Sequence, residues 1–257
     1  MSDWSSKQYM KFGNQRTQPS MDLISRIADI KPHHILDIGC GPGNSTYALK
    51  KVFEQAEIIG IDTSVDMLKM ARETYPSIRF EQGYVPDDLN KLNESFDLIF
   101  SNACIHWIPN QEYLIREVFD RLSDGGTFAV QIPLVQEAPF YKLLEKLTQT
   151  TKWNKLADIK NFHSLLPEQY YDLFSSLKCS FEMWQTSYYH IVDSMNGIIE
   201  WYKGSGLRPY LDRLSSSEQE ELIKDLLDGL KDCYIEQADK KIILKMPRLF
   251  FILKKSE

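Results

Sequence analysis

Over the first 133 residues, apolar runs alternate with amphipathic stretches, a pattern that predicts a parallel sheet flanked by helices. Strands are expected near 34–38, 57–62, 77–82, 96–102 and 127–133. Helices are expected at 44–53, at 64–75 and at 111–122; in the second, Ser64 is the N-cap and Val65, Leu68, Met70 and Ala71 face inward. Asp124-Gly-Gly126 reads as the turn into the fifth strand, and a helix carrying Met21, Leu23, Ile24 and Ile27 precedes the first. Beyond Pro133 the alternation breaks. The runs 180–191 and 241–254 read as strands without a crossover helix suited to a parallel neighbour, which predicts an antiparallel pair at the sheet edge. Helical segments at 138–152, 167–177, 194–203 and 215–232 fall outside the sheet. The expectation is one α/β domain over 1–257. Its Rossmann-like, mostly parallel sheet spans 32–133 plus the two late strands, with an antiparallel edge strand. A helical cap is drawn from 134–178 and 193–240.

The most informative stretch is Ile35-Leu-Asp-Ile-Gly-Cys-Gly-Pro-Gly-Asn-Ser-Thr46, where an apolar strand runs into a glycine turn and then a helix start. Glycines at 39, 41 and 43 allow a tight turn and a close backbone approach to a ligand, and the helix start points unpaired N–H groups at it. Nineteen residues past Gly43, Glu57-Ile-Ile-Gly-Ile-Asp62 reads as a second strand ending in an acid. A carboxylate there suits a ribose diol, as on doubly wound sheets. The loop is not the dinucleotide form, which needs glycine where Asn44 stands, and no Gly-Lys-Ser/Thr run marks a phosphate-cradling loop.

Charge and cysteine usage narrow the partners. With 30 Lys and Arg against 36 Asp and Glu, the net charge is −6 and the charges are interspersed, which disfavours a nucleic acid partner. No apolar run reaches the length of a membrane span, and the N-terminus lacks an apolar signal core, so a cytoplasmic protein without a membrane partner is expected. Cys40, Cys104, Cys179 and Cys233 are scattered, and the five histidines show no ligand spacing; reduced packing thiols and no metal are expected.

The form Asp-x-Gly-x-Gly-x-Gly resembles the first motif of class I methyltransferases that use S-adenosylmethionine, with Asp37 at the strand end. Other runs are similar to the trans-aconitate 2-methyltransferase family over essentially the whole length. They are Met1-Ser-Asp-Trp4 with Tyr9, Phe12 and Arg16; Leu36 to Ser45; Gly60-Ile-Asp-Thr-Ser64; and Asn102-Ala103 followed by Trp107. Thr186-Ser-Tyr-Tyr-His190, Gly206-Leu-Arg-Pro209 and Pro247-Arg-Leu-Phe250 are the distinctive ones, because they are not general methyltransferase motifs. The resemblance implies S-adenosylmethionine as cofactor and esterification of one carboxylate of a small polycarboxylic acid, such as trans-aconitate. It places Asp37, Gly39, Cys40, Gly41, Gly43, Asn44, Asp62, Thr63, Met67, Tyr84 and Asn102 around the cofactor. One departure stands out: Gly83 occupies the place of the family's adenine-binding acid. Asp87 or Asp88, stacking by Tyr84, or a backbone carbonyl are the substitutes open to the chain.

The implied chemistry needs placement more than acid–base help. A carboxylate is already ionised at neutral pH, so no general base is expected. The carboxylates that are not esterified need cationic partners, preferably arginines that bind two oxygens. Arg16 and Arg208 are the candidates for that task, with Tyr9, Phe12, His106, Trp107, Tyr189 and His190 as further acceptor-side residues. Strand alternation points Tyr189 to one face and Tyr188 and His190 to the other. Two other readings stay open: a methyltransferase for another small-molecule or acyl-chain carboxylate, and an S-adenosylmethionine-binding protein without transfer activity.

Overall fold

Seven strands form one sheet in the order β3-β2-β1-β4-β5-β7-β6. The computed structural model describes residues 13–92 and 95–257, with side chains from residue 16 onward. The strands are β1 (His34–Ile38), β2 (Glu57–Asp62), β3 (Arg79–Gln82), β4 (Phe96–Asn102), β5 (Leu122–Pro133), β6 (Cys179–Val192) and β7 (Ile242–Lys255). The first five pair in parallel. β7 runs against β5, and β6 pairs antiparallel with β7 along its whole length, so the single reversed strand lies one place in from the edge. Chain order reverses direction at β1, where β2 lies on one side and β4 on the other. Ligands of open α/β sheets bind at such a switch point, beyond the carboxyl ends of the strands.

The early helices are α1 (Gly13–Arg26), α2 (Asn44–Val52), α3 (Val65–Thr74) and α4 (Gln111–Asp120). α3 begins where Ser64 accepts a hydrogen bond from the Met67 N–H, and it buries Met67, Leu68 and Ala71. Val65, expected to face inward, is exposed: it is the first helical residue, before the buried stripe begins. The expected turn at 124–126 is instead a bulge within β5, where the pairing with β4 jumps from Phe96↔Leu122 to Leu98↔Thr127. Gly125 makes it possible with φ +72°.

The late helices are α5 (Pro139–Thr148), α6 (Pro167–Ser175), α7 (Met195–Lys203), α8 (Arg208–Leu211) and α9 (Ser216–Cys233). α5, α7 and α9 form a cap with its own core of Phe140, Leu144, Trp153, Ile198, Trp201, Tyr202, Leu222, Leu226 and Leu230. α6 does not belong to it. Although it lies inside the 134–178 segment expected to cap the site, its Tyr170 and Phe174 rings pack on Phe251 of β7, covering one face of the sheet. α1, α2, Phe100 and Phe250 build the core on the opposite face.

Candidate active site

The carboxyl ends of β1, β2, β4 and β5 and the inner side of the cap enclose a cavity of about 760 Å³, within the range of ligand clefts. At its floor the chain leaves β1 through the glycine loop. Gly39, at φ +73°, carries no Cβ because one would fall 2.2 Å from the Cβ and Sγ of Cys104. Gly41, at φ +54°, faces open space, since a Cβ there would meet nothing within 4 Å. Asp62 latches the loop from β2. Its Oδ2 accepts from the Gly41 N–H at 2.9 Å and its Oδ1 from the Ser64 N–H at 2.9 Å.

Of the residues expected around the cofactor, Gly39, Gly41, Asp62, Thr63, Met67, Tyr84 and Asn102 line the cavity. Asp37, Cys40, Gly43 and Asn44 do not; they build the loop from behind. Asp37 is fully buried, and its Oδ2 accepts from Ser45 Oγ and Thr46 Oγ1, each at 2.7 Å, which ties the end of β1 to the first turn of α2. Burial pushes its pKa up to about 6 against the pull of those hydroxyls. Cys40 packs among Leu68, Ala71, Ile78 and Phe80. Gly43 lies where a Cβ would come within 2.8 Å of the Tyr75 ring, and Asn44 opens α2 behind it.

Around Gly83 the alternatives narrow. Asp88 Oδ2 accepts from the Tyr84 N–H at 2.8 Å and Oδ1 pairs with Lys91 at 2.8 Å, and the residue does not line the cavity. Asp87 and Tyr84 do. A Cβ at 83 would lie 2.7 Å from Ile61 Cδ1, so an aspartate there requires the end of that side chain to shift.

Toward the cap, the cavity is walled by His106, Trp107, Phe162, Tyr141 and Tyr202. Phe162 stacks on His106 at 5.6 Å between centroids and meets Trp107 at 4.7 Å and Tyr141 at 4.9 Å. His106 is 3 % exposed, and burial beside the Arg248 charge holds its pKa well below the usual histidine value, so it is neutral. Arg16 lines the cavity, yet its Nη1 and Nη2 donate to the carbonyls of Gly204 and Trp201 at 3.2 and 3.0 Å, fastening α1 to the C-terminal end of α7.

Three residues expected on the acceptor side do not line the cavity. Arg208 opens α8 outside the cavity, with its Nε 3.9 Å from Asp212. Tyr189 is 61 % exposed, on the face of the edge strand β6 opposite to Tyr188 and His190. His190, on the other face as expected, stacks on Trp201 at 4.8 Å and does not reach the cavity. Tyr9 and Phe12 lie outside the described residues.

A methyltransferase-domain family profile matches residues 31–195. A trans-aconitate 2-methyltransferase from Afipia carboxidovorans is 38% identical over 256 residues, covering 98% of this chain and 99% of the relative. One from Methylobacterium nodulans is 35% identical over 261 residues, with 100% of both covered. The chain belongs to the trans-aconitate 2-methyltransferase family. Solved structures agree on the fold. The YcgJ protein from Bacillus subtilis superposes with a TM-score of 0.60 at 18% identity, over 93% of this chain and 99% of that one. Phosphoethanolamine N-methyltransferase 2 from Haemonchus contortus, solved with S-adenosylhomocysteine, has a TM-score of 0.60 at 17% identity, over 98% of this chain and 57% of that one.

Within this family framework, the residue that sequence reasoning missed is Arg248. It is 8 % exposed on β7 and lines the cavity, opposite Pro133 of β5. Its charge reaches His106, Tyr141, His190 and Tyr202. The signal was present in the Pro247-Arg-Leu-Phe250 run, where one arginine interrupts an otherwise apolar strand centre. Gln131 was missed too: it is fully buried, lines the cavity and sits at the end of an apolar run. Among the described residues no group of three or more His, Cys, Asp or Glu is placed to hold a metal ion, and no helix is long and apolar enough to cross a membrane.

Proposed function

We propose that the chain transfers the methyl group of S-adenosylmethionine to one carboxylate of trans-aconitate, giving a monomethyl ester. Family membership over the full length supports the activity. The observation that carries the acceptor is a cationic side chain, Arg248, buried in the cavity wall across from the glycine loop. The residues present fit the cofactor: the loop opens to the cavity at Gly41, Asp62 stands beside it as an acceptor suited to a ribose diol, and the buried Asn102 Oδ1 has no partner among the described residues. S-adenosylmethionine supplies an electrophilic methyl group on a positively charged sulfur. Everything else is positioning. The glycine loop, Asp62, Thr63 and Met67 would hold one end, and Asp87 and Tyr84, which line the cavity beside Gly83, would serve the base in place of the acid that Gly83 does not provide.

The acceptor carboxylate needs no base, since its pKa near ~4 leaves it ionised at neutral pH. Accordingly, the nearby imidazole, His106, is kept neutral and serves as wall. The aromatic wall of Trp107, Phe162, Tyr141 and Tyr202 keeps water out, and orientation alone corresponds to effective molarities of roughly 10⁵ M or more in well-aligned systems. A polyanion entering this wall meets the guanidinium of Arg248, and Arg16 lies on the same side.

The test is transfer of labelled methyl from S-adenosylmethionine to a panel of mono-, di- and tricarboxylates. Trans-aconitate is expected to react fastest. Removing one partner of a buried charge pair costs about 2–5 kcal/mol, so Arg248→Ala lowers kcat/KM for the tricarboxylate by that amount and leaves cofactor affinity nearly unchanged. Arg208→Ala, outside the cavity, leaves kcat/KM within a few-fold of wild type. Equal rates with neutral acceptors, or a tricarboxylate preference that survives in Arg248→Ala, overturn the reading.

A further inference from the structure

Gln131 occupies an unusual place. Its side chain is fully buried, it lines the cavity, and neither its amide oxygen nor its amide nitrogen has a hydrogen-bond partner among the described residues. Burying an amide without a hydrogen-bond partner is costly, and such a group lining a cavity is available to a ligand. Its strand partner on β4 is Asn102, whose Oδ1 is likewise buried and unpartnered. Two amides thus stand side by side on adjacent strands at the switch-point edge without bonding to each other. They lie between the glycine loop on β1 and Arg248 on β7, since β4 and β5 are the intervening strands.

We propose that Gln131 holds the carboxylate that becomes methylated, its amide N–H donating to that carboxylate while Arg248 holds a carboxylate that stays charged. The inference rests on the carboxyl methyltransferase reading and assigns a division of labour within it. In the reaction a carboxylate lone pair forms the O–CH3 bond, the C–S bonding pair passes to sulfur, and no proton moves. Negative and positive charge cancel as the bond forms. A cation at the reacting carboxylate would therefore bind the ground state more tightly than the transition state and slow the step, whereas a neutral donor orients the oxygens at a smaller penalty. The strand-end amides of Gln131 and Asn102 are neutral, and so is His106, whose Nδ1 is buried without a partner among the described residues.

The experiment uses Gln131→Leu, Gln131→Met and Gln131→Glu in the full chain. Methyl transfer to the best carboxylate of the panel, binding of S-adenosylhomocysteine by calorimetry, and Tm are measured for each. Losing a hydrogen bond to a charged group corresponds to about a 10- to 100-fold drop in kcat/KM for the Leu and Met variants, and the Glu variant falls below both because like charges then face each other. S-adenosylhomocysteine affinity stays within about threefold. Tm of the ligand-free Leu or Met variant equals or exceeds wild type, because an unsatisfied buried amide has been removed; a structural glutamine gives the opposite. Leu and Met variants with wild-type kcat/KM, or an affinity loss for S-adenosylhomocysteine that accounts for the whole drop, overturn the assignment. A wild-type protein that methylates no carboxylate overturns instead the reading beneath it, and the assignment with it.

Discussion

Two aspartates at the ends of neighbouring strands show how burial separates similar residues. Asp62 stays at the cavity surface and latches the loop. Asp37 is sealed beneath it, with one oxygen bonded to Ser45 and Thr46 and the other unpartnered. Its pKa, raised by desolvation from 3.8 to about 6, has a definite consequence for stability. The folded state binds this proton more tightly than the unfolded chain, so stability from this residue falls as pH rises from about 4 to 6. The full shift corresponds to about 3 kcal/mol against folding, complete above pH 6. Asp37→Asn keeps an acceptor for both hydroxyls and removes the charge. In urea unfolding its advantage over wild type grows from near zero at pH 4 toward about 3 kcal/mol at pH 7, and a gap independent of pH contradicts the account. At this scale the sequence was legible where chemistry and spacing coincide: Gly39 and Gly41 take the positive φ of a tight turn and, with Asp62, line the cavity. Asp37 and Cys40, expected from the same spacing, lie behind the cavity lining, because strand–turn–helix spacing says which residues are near a cleft but not which ones turn their backs on it.

Elements were legible wherever a local signal reinforced the apolar period. The α3 N-terminus is an example: Ser64 was read as its cap, and its Oγ accepts from the Met67 N–H at 3.2 Å. Ser64 also presents its own N–H to Asp62, so the cap and the carboxylate that latches the glycine loop are joined through one residue. Ser64→Ala removes the side-chain cap but leaves that backbone N–H in place. A loss of about 1 kcal/mol is expected, or about 2–4 °C in Tm for a chain of this size, with S-adenosylhomocysteine affinity little changed. Scanning calorimetry and binding titration check the two halves of that statement. Where local and tertiary signals diverge, the element was found and its packing was not. α6 has a helical pattern that gives no hint which surface it meets; the rings of Phe181 and Phe251 on the late strands decide that. The same holds for the β5 bulge, since Asp124-Gly-Gly126 fits both a turn and an irregular strand, and only pairing with β4 chooses.

At the scale of the whole molecule, one strand ties the parts together. β7 contributes Leu249, Phe251 and Leu253 to the core on one face of the sheet, and Phe250 and Ile252 to the core on the other. Ile242, Leu244 and Met246, earlier on the same strand, belong to the cap core. Arg248 lies between these two stretches and inside the cavity. The sequence showed a single long apolar run here and gave no sign that its two halves serve different cores, because that depends on where β6 and α9 come to rest against it. A strand shared in this way couples cap and sheet mechanically: the cap cannot unfold without releasing the first half of β7, which pairs with β6 residue by residue from Val192↔Ile242 to Thr186↔Arg248. Cap and sheet are therefore expected to open as one unit, although each has its own apolar centre. Leu244 is fully buried in the cap core, and Leu244→Ala is expected to destabilise by about 2–5 kcal/mol through lost burial and the cavity left behind. The coupling decides where that loss is felt. In native-state hydrogen exchange, the slowest amides of β1 and β4, remote from the substitution, lose protection by the same free energy as those of α9. If only α9 and α7 lose protection while β1 and β4 keep theirs, the cap is an independent unit, and a cavity walled by both parts owes its shape to docking and not to a continuous strand.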